Sequence, residues 1–164
     1  MRILGIDPGY GITGFGVIDS QKGTNRLISC GAITTPAGMD FSARLEIIYE
    51  DMRKLLEQAK PDAVAIEELF FGQNVTTGIG VAQSRGVILL AIRQAGLTVT
   101  SYKPSQIKQA LVGYGNASKR QMQDMTKRIL HLESMPKPDD AADAIAIALC
   151  HARSSTSLLA QMRK

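Results

Sequence analysis

The sequence predicts an α/β fold, a mixed five-stranded sheet flanked by helices on both faces. Three observations carry this expectation. The first 34 residues contain three β-type runs separated only by short turn signals, which reads as an antiparallel meander. From Asp40 the apolar period lengthens to that of a helix. Helical and strand patterns then alternate before a helical C-terminal third, the order that places helices over both faces of one sheet.

Each element has its own signal. RILGID and ITGFGVID are short apolar runs split by PGYG, and Arg26 to Thr34 forms the third before the turn-rich TPAG. Phe41, Leu45, Ile48, Met52 and Leu55 recur at spacings of four and three, with Asp40 as N-cap and Pro61 beyond the end. DAVAIE reads as a buried strand, residues 74 to 94 as a helix rich in small and apolar residues, and LTVTSY as the fifth strand. Three more helices follow, at Pro104 to Leu111, Ser118 to His131, and Pro138 to about Arg153. The expectation is therefore one domain over residues 1–153 and a loose, flexible tail over 154–164, with no repeat or linker.

Composition narrows the class. A chain of 164 residues, 45% apolar and 21% charged, fits one self-sufficient domain that buries about 70% of its unfolded surface. No apolar stretch approaches the roughly 20 residues of a membrane helix, and the N-terminus lacks the pattern of a secretory signal, so an intracellular protein is expected. Cys30 and Cys150 lie far apart in apolar contexts and read as buried thiols, while His131 and His151 have no metal-ligand spacing. The net charge of +4 is unevenly spread. Residues 40 to 68 hold eight acids against four bases, whereas residues 69 to 123 hold no acid and six bases: Arg85, Arg93, Lys103, Lys108, Lys119 and Arg120. A polyanion suits that second stretch, and a merely soluble basic surface suits it equally well.

Four carboxylates in three segments stand where apolar elements begin or end: Asp7 in GIDPGYG, Glu67 in AVAIEE, and Asp140 with Asp143 in PDDAADAIAIA. Acids beside buried runs cost desolvation free energy and call for a paired charge, a hydrogen-bond network or a metal. A cluster holding Mg2+ explains all three places together, since a hard cation takes oxygen ligands and leaves positions for water and phosphate. Each segment also has a plainer explanation. The glycines after Asp7 suit a tight hairpin as well as an approach to phosphate. Glu67 shares a strand face with Ala63 and Ala65, Glu68 with Val64 and Ile66, yet both could be solvated acids. Asp139 and Asp140 complement a helix dipole, although Asp140 and Asp143 also converge at spacing three and Asp139 could reach Asp143 at spacing four. Phe70 and Phe71 precede a flexible loop and could stack on bases or fill core. Lys119 and Arg120 open a helix capped by Ser118, where cations oppose the dipole and an outside anion would compensate.

GIDPG, AIE followed by Phe70, QSRGV, IKQALVGYG and DAADAIAIA, in this order and spacing, resemble the RuvC family of bacterial Holliday-junction resolvases, within the ribonuclease H-like superfamily, along essentially the whole chain. The resemblance implies a metal-dependent crossover junction endodeoxyribonuclease of recombination and repair. Asp7, Glu67, Asp140 and Asp143 would be its catalytic, metal-binding acids, and Lys108 and Lys119 would contact DNA phosphates. Phe70 would stack at the opened junction, and Arg85 and Arg120 belong to the DNA-binding basic stretch. It also implies a homodimer, with the helix of Ala82, Gly86 and Ile88 similar to the family's dimer helix, that nicks two like strands symmetrically alongside RuvA and RuvB in the bacterial cytoplasm, at the nucleoid.

The mechanism expected on that basis uses two Mg2+ ions per site, with Mn2+ a possible substitute, and leaves 5′-phosphate and 3′-hydroxyl ends without a covalent intermediate. Three rivals differ in what they require. An ATP-binding lobe of the actin and sugar-kinase type needs a second lobe and leaves Asp140 and Asp143 without a role. A junction-binding protein without catalysis has similar DNA contacts but no cutting. A ribonuclease H would prefer an RNA:DNA hybrid.

Overall fold

The computed structural model describes residues 1–69 and 75–162. Strands β1 (Arg2–Asp7), β2 (Ile12–Gln21) and β3 (Thr24–Thr34) form the meander, followed by α1 (Phe41–Ala59), β4 (Ala63–Glu67), α2 (Val75–Gln94), β5 (Val99–Tyr102), α3 (Pro104–Val112), α4 (Lys119–Leu130) and α5 (Asp139–Met162). The sheet order is β3-β2-β1-β4-β5, antiparallel across the meander and parallel from β1 through β4 to β5. The central strand, β1, therefore ends in Asp7, and its parallel neighbour β4 ends in Glu67. Parallel neighbours place the two strand ends at the same edge, with Ile6 opposite Ile66 in the register.

Caps explain where the helices start. The Asp40 carboxylate accepts from the Ser42 and Ala43 amides, and Lys60, at φ 45°, ends α1 in the left-handed region before Pro61. Ser118 and Gln121 form a reciprocal capping box at α4, whose other end closes at His131. Leu56 is the buried residue of the last turn of α1, with Leu55 only partly covered against the same core. The expected helix end near Arg153 is passed, and α5 runs on to Met162. No Gly or Pro interrupts that stretch, and the Ser154 and Ser155 hydroxyls donate back to the Cys150 and His151 carbonyls.

Two cores flank the sheet. On one face Leu4, Ile6, Val64 and Ile66 meet Ile48 and Met52 of α1 and Ile88 and Ile92 of α2. On the other, Ile3, Ile18 and Ala65 meet Ile145, Ile147 and Leu149 of α5, with Ile107 of α3 and Met122 of α4 joining them. Strand alternation assigns Asp7 and Glu67 to the second face, since Gly5 and Ala65 point there.

Helix α5 lies unusually close to that face. A Cβ on Gly5 would come within 2.1 Å of the Ala144 carbonyl oxygen, and one on Gly16 within 2.6 Å of the Ile145 side chain. On Gly14, which stands opposite Asp7 in the β1–β2 ladder, a Cβ would come within 2.0 Å of the Asp140 carbonyl oxygen. Glycines on three sheet positions, against a helix rich in alanine, bring the backbones into contact and set Asp140 beside Asp7.

Candidate active site

The acids arrive from three elements. Asp7 ends β1, Glu67 ends β4, and Asp140 and Asp143 lie on the first turns of α5. Burial pushes the Asp7 carboxyl up to about 7, and the charges of Glu67, Asp143 and Asp140 push in the same direction, against a smaller opposing effect of Lys119. Glu67 is raised by burial and then by Asp143, with Lys108 opposing. Asp143 is raised by burial, with Lys119 opposing. The four predicted acids thus share one field, in which negative charge exceeds the positive charge offered by the protein. Glu68, one residue past the end of β4, is exposed.

Two lysines border the cluster. Lys119 Nζ, at the start of α4, stands 3.0 Å from Asp139 Oδ2 and 3.5 Å from Asp143 Oδ2. Lys108, on α3, is near enough to Glu67 to favour its ionised form. A cavity of about 220 Å³ is lined by Glu67, Asp143, Lys108 and Lys119 together with the apolar Ile107 and Met122. A larger groove, about 910 Å³, runs between α1 and α2 among Tyr49, Arg53, Lys60 and Gln94. It holds none of the perturbed acids, so the smaller cavity is the one with chemistry in it.

The loop after Asp7 is held from two directions. The Gly9 carbonyl accepts from the Thr13 hydroxyl of β2, at 2.5 Å, and from the Ser84 hydroxyl of α2, at 2.9 Å, and both residues are fully buried. The Tyr10 carbonyl accepts from Thr35, whose hydroxyl oxygen in turn accepts from Arg44 Nε, and the Arg44 guanidinium lies over the Tyr10 ring. Thr13 and Ser84 were not singled out from sequence. A small hydroxyl within an apolar or glycine-rich run was their signal, and it pointed only to burial. Of the glycines read as phosphate-approach or hairpin residues, Gly14 and Gly16 make room for α5 instead.

The remaining predicted contacts are dispersed. Arg120 is exposed on the first turn of α4, next to Lys119. Arg85 of α2 donates to the Glu67 carbonyl at 3.3 Å and to the Ser101 hydroxyl at 2.8 Å, bracing the ends of β4 and β5. Phe70 and Phe71 lie outside the described residues. Ile88, grouped with the expected dimer helix, is fully buried in the core of the chain itself, whereas Ile79 and Leu90 are 54% and 52% exposed and Gly86 has open space beside it. The outer face of α2 is thus carried by Ile79, Gly86 and Leu90, because the helix is apolar on both sides and Ile88 is phased inward.

Among the described residues, no set of three or more His, Cys, Asp and Glu side chains is arranged to hold a metal ion. The four acids meet in one field without closing into a cage, and Lys119 occupies part of the space beside Asp143. Their chemistry nevertheless fits a hard divalent cation: all donors are oxygens, and burial and neighbouring acids raise the carboxyls of Asp7, Glu67 and Asp143.

The family profile described as crossover junction endodeoxyribonuclease RuvC matches residues 3–151. The chain belongs to the RuvC family. A RuvC relative from Chloroflexus aggregans, named crossover junction endodeoxyribonuclease, is 53% identical over 158 residues, 96% of each chain. The solved Thermus thermophilus RuvC structure superposes with a TM-score of 0.89 at 36% identity, covering 96% of both chains. The T. thermophilus RuvC in complex with Holliday junction substrate gives 0.90 at 35% identity, with the same coverage. The five-stranded mixed sheet and its helices are therefore the ribonuclease H-like fold of RuvC, with the central strand and its parallel neighbour both ending in acids.

Proposed function

We propose that this RuvC-family chain is a crossover junction endodeoxyribonuclease that resolves four-way DNA junctions during recombination and repair by nicking two like strands, leaving 5′-phosphate and 3′-hydroxyl ends. The observation that carries the reading is the shared field of Asp7, Glu67, Asp140 and Asp143 on one sheet face, bordered by Lys108 and Lys119. Uncompensated acids beside lysines are suited to hold divalent cations and a phosphodiester together. The four acids hold Mg2+, or Mn2+ in its place, two ions to a site. When bound, the metal supplies water activation and stabilisation of charge on the departing oxygen.

The chain's own residues do the positioning. Lys108 and Lys119 hold the backbone phosphate at the rim of the cavity, and Arg120 extends the cationic surface along α4. Phe70, three residues after Glu67 in the sequence, stacks on an unpaired base. Arg85 keeps the end of the Glu67 strand in register from the opposite face. Thr13 and Ser84 fix the Gly9 carbonyl and so hold the backbone just after Asp7. Residues 1–153 constitute one nuclease domain. A C2 homodimer, formed through the outward face of α2 with Ile79, Gly86 and Leu90, presents two sites to a nearly two-fold junction. RuvA and RuvB are its partners in the bacterial cytoplasm, at the nucleoid. None of the helices among the described residues is long and apolar enough to cross a membrane.

The test is cleavage of a labelled mobile four-way DNA junction with Mg2+, beside linear duplex and RNA:DNA hybrid, and again with the metal chelated. Paired symmetric nicks in the junction alone, dependent on metal and religatable, are expected. A junction that is bound but never cut would make this a binding protein instead, and preferred cutting of the hybrid would make it a ribonuclease H.

A further inference from the structure

Asp139 has no role in the reading above, yet it makes the shorter of the two contacts to Lys119. The lysine amine is 3.0 Å from Asp139 and 3.5 Å from Asp143, two carboxylates one helical turn apart on α5. Lys119 is the first residue of α4, where the helix dipole disfavours a cation, and no acid stands in the first turn of its own helix. Compensation therefore comes from α5. The two acids are not equivalent. Asp139 is exposed at the outer edge, with a side chain 64% accessible, while Asp143 is less accessible and belongs to the mutually repelling cluster.

A divalent cation taken up by Asp143 must displace the ammonium group now beside it, because two positive charges cannot share one carboxylate in the same small space at no cost. Left with Asp143 as its one anionic neighbour, Lys119 would resist that exchange. With Asp139 adjacent, the amine gives up the longer contact and keeps the shorter one. We propose that Asp139 is a positioning residue that parks Lys119 at the rim of the carboxylate cluster, so that Asp143 can be handed to an incoming divalent cation. The inference rests on the metal-cluster reading of the four acids. It adds to that reading a residue outside the set, acting through the lysine rather than on the metal.

The experiment measures binding of Mn2+ alone, by electron paramagnetic resonance titration extending into the millimolar range. Wild type, Asp139→Asn, Lys119→Gln and the double variant are compared at physiological ionic strength without DNA. Both substituted side chains are largely exposed, so the folded protein is expected to persist in every arm. Asp139→Asn is expected to weaken Mn2+ binding about three- to ten-fold in the wild-type background and by less than about two-fold in the Lys119→Gln background, the signature of two coupled side chains. Equal weakening in both backgrounds would overturn the proposal, since Asp139 would then act as a bare negative charge. Unchanged or tighter binding by Asp139→Asn would overturn it too. Asp7→Asn serves as the separate check on the underlying reading. Loss of Mn2+ in that variant, with binding retained by wild type, leaves the cluster intact whatever Asp139 does. Absence of Mn2+ binding by wild type removes the cluster and the inference together.

Discussion

The two faces of the central sheet are built on opposite rules. Toward α1 and α2, Leu4, Ile6, Val64 and Ile66 fill space with large aliphatic side chains. Toward α5, the same strands present Gly5, Ala65 and, at their ends, Asp7 and Glu67, with Gly14 and Gly16 beside them on β2. Both faces bury apolar area, the second chiefly through Ile145, Ile147 and Leu149 of α5. On that second face the strands give up side-chain volume so that a helix carrying two acids can approach two acids on the sheet. Chemistry is thus confined to one face while core lies on both, and substitutions toward α1 and α2 test stability apart from the acids.

The sharpest way to break this contrast is to substitute one residue on each face. Asp7→Asn is expected to lower junction cleavage about a thousandfold or more while leaving junction binding in a gel-shift assay within about twofold. Ile66→Ala, next to Glu67 but pointing the other way, is expected to cost about 2–5 kcal/mol in denaturant unfolding. The rate per folded molecule should stay close to wild type. If Ile66→Ala lost cleavage as fully as Asp7→Asn at a temperature where both are folded, the division by face would not hold. Gly14→Ala lies between these extremes. It forces α5 outward at Asp140 and should reduce cleavage by about a hundredfold with a smaller loss of thermal stability, measured on the same preparation.

Acidity sharpens the comparison further. Asp7 keeps its proton up to about 7 in the folded protein but releases it near 3.8 when unfolded. Between those two values the folded state binds the extra proton, so stability falls as pH rises through the window and then levels off. Glu67 and Asp143, also raised, act with the same sign. The metal-free wild type should therefore melt at a lower temperature at about pH 8 than at about pH 5, and Asp7→Asn should remove a measurable part of that drop. An identical pH dependence in the two proteins would mean that Asp7 is not held in a desolvated, repelling environment. The smallest effect belongs to Glu68→Gln, which on an exposed side chain should change cleavage by less than about twofold, whereas Glu67→Gln should resemble Asp7→Asn.

Much of the site was legible because strand periodicity is simple. An acid that ends an apolar run, two residues beyond a glycine or alanine, has its face decided by alternation, and Asp7 and Glu67 could be assigned that way. The caps at Asp40 and Ser118 were legible for a related reason, since both are local hydrogen-bond patterns. What failed to show depends on contacts between distant segments. Gly5 looks like an ordinary weak strand residue until α5 is laid across it, and Gly14 and Gly16 belong to a motif whose ligand-binding reading hides their packing duty. Helix phase is the other gap. Leu55 and Leu56, or Gly86 and Ile88, lie so near one another in sequence that only the packed helix reveals which faces the core. The Lys119–Asp139 pair joins two helices through side chains, and no spacing rule connects them.

The close seating of α5 has a consequence for how such a protein can change over generations. Where a helix is held off a sheet by side chains, substitutions on either surface can compensate each other and the spacing drifts. Here the spacing at Gly5 and Gly14 is fixed by backbone atoms touching across the gap, and there is no smaller residue to which either position could retreat. A lineage carrying this enzyme is free to rewrite its α1 and α2 core by exchanging one aliphatic residue for another. The distance between Asp7 and Asp140 is passed on unaltered, or it is lost in a single step.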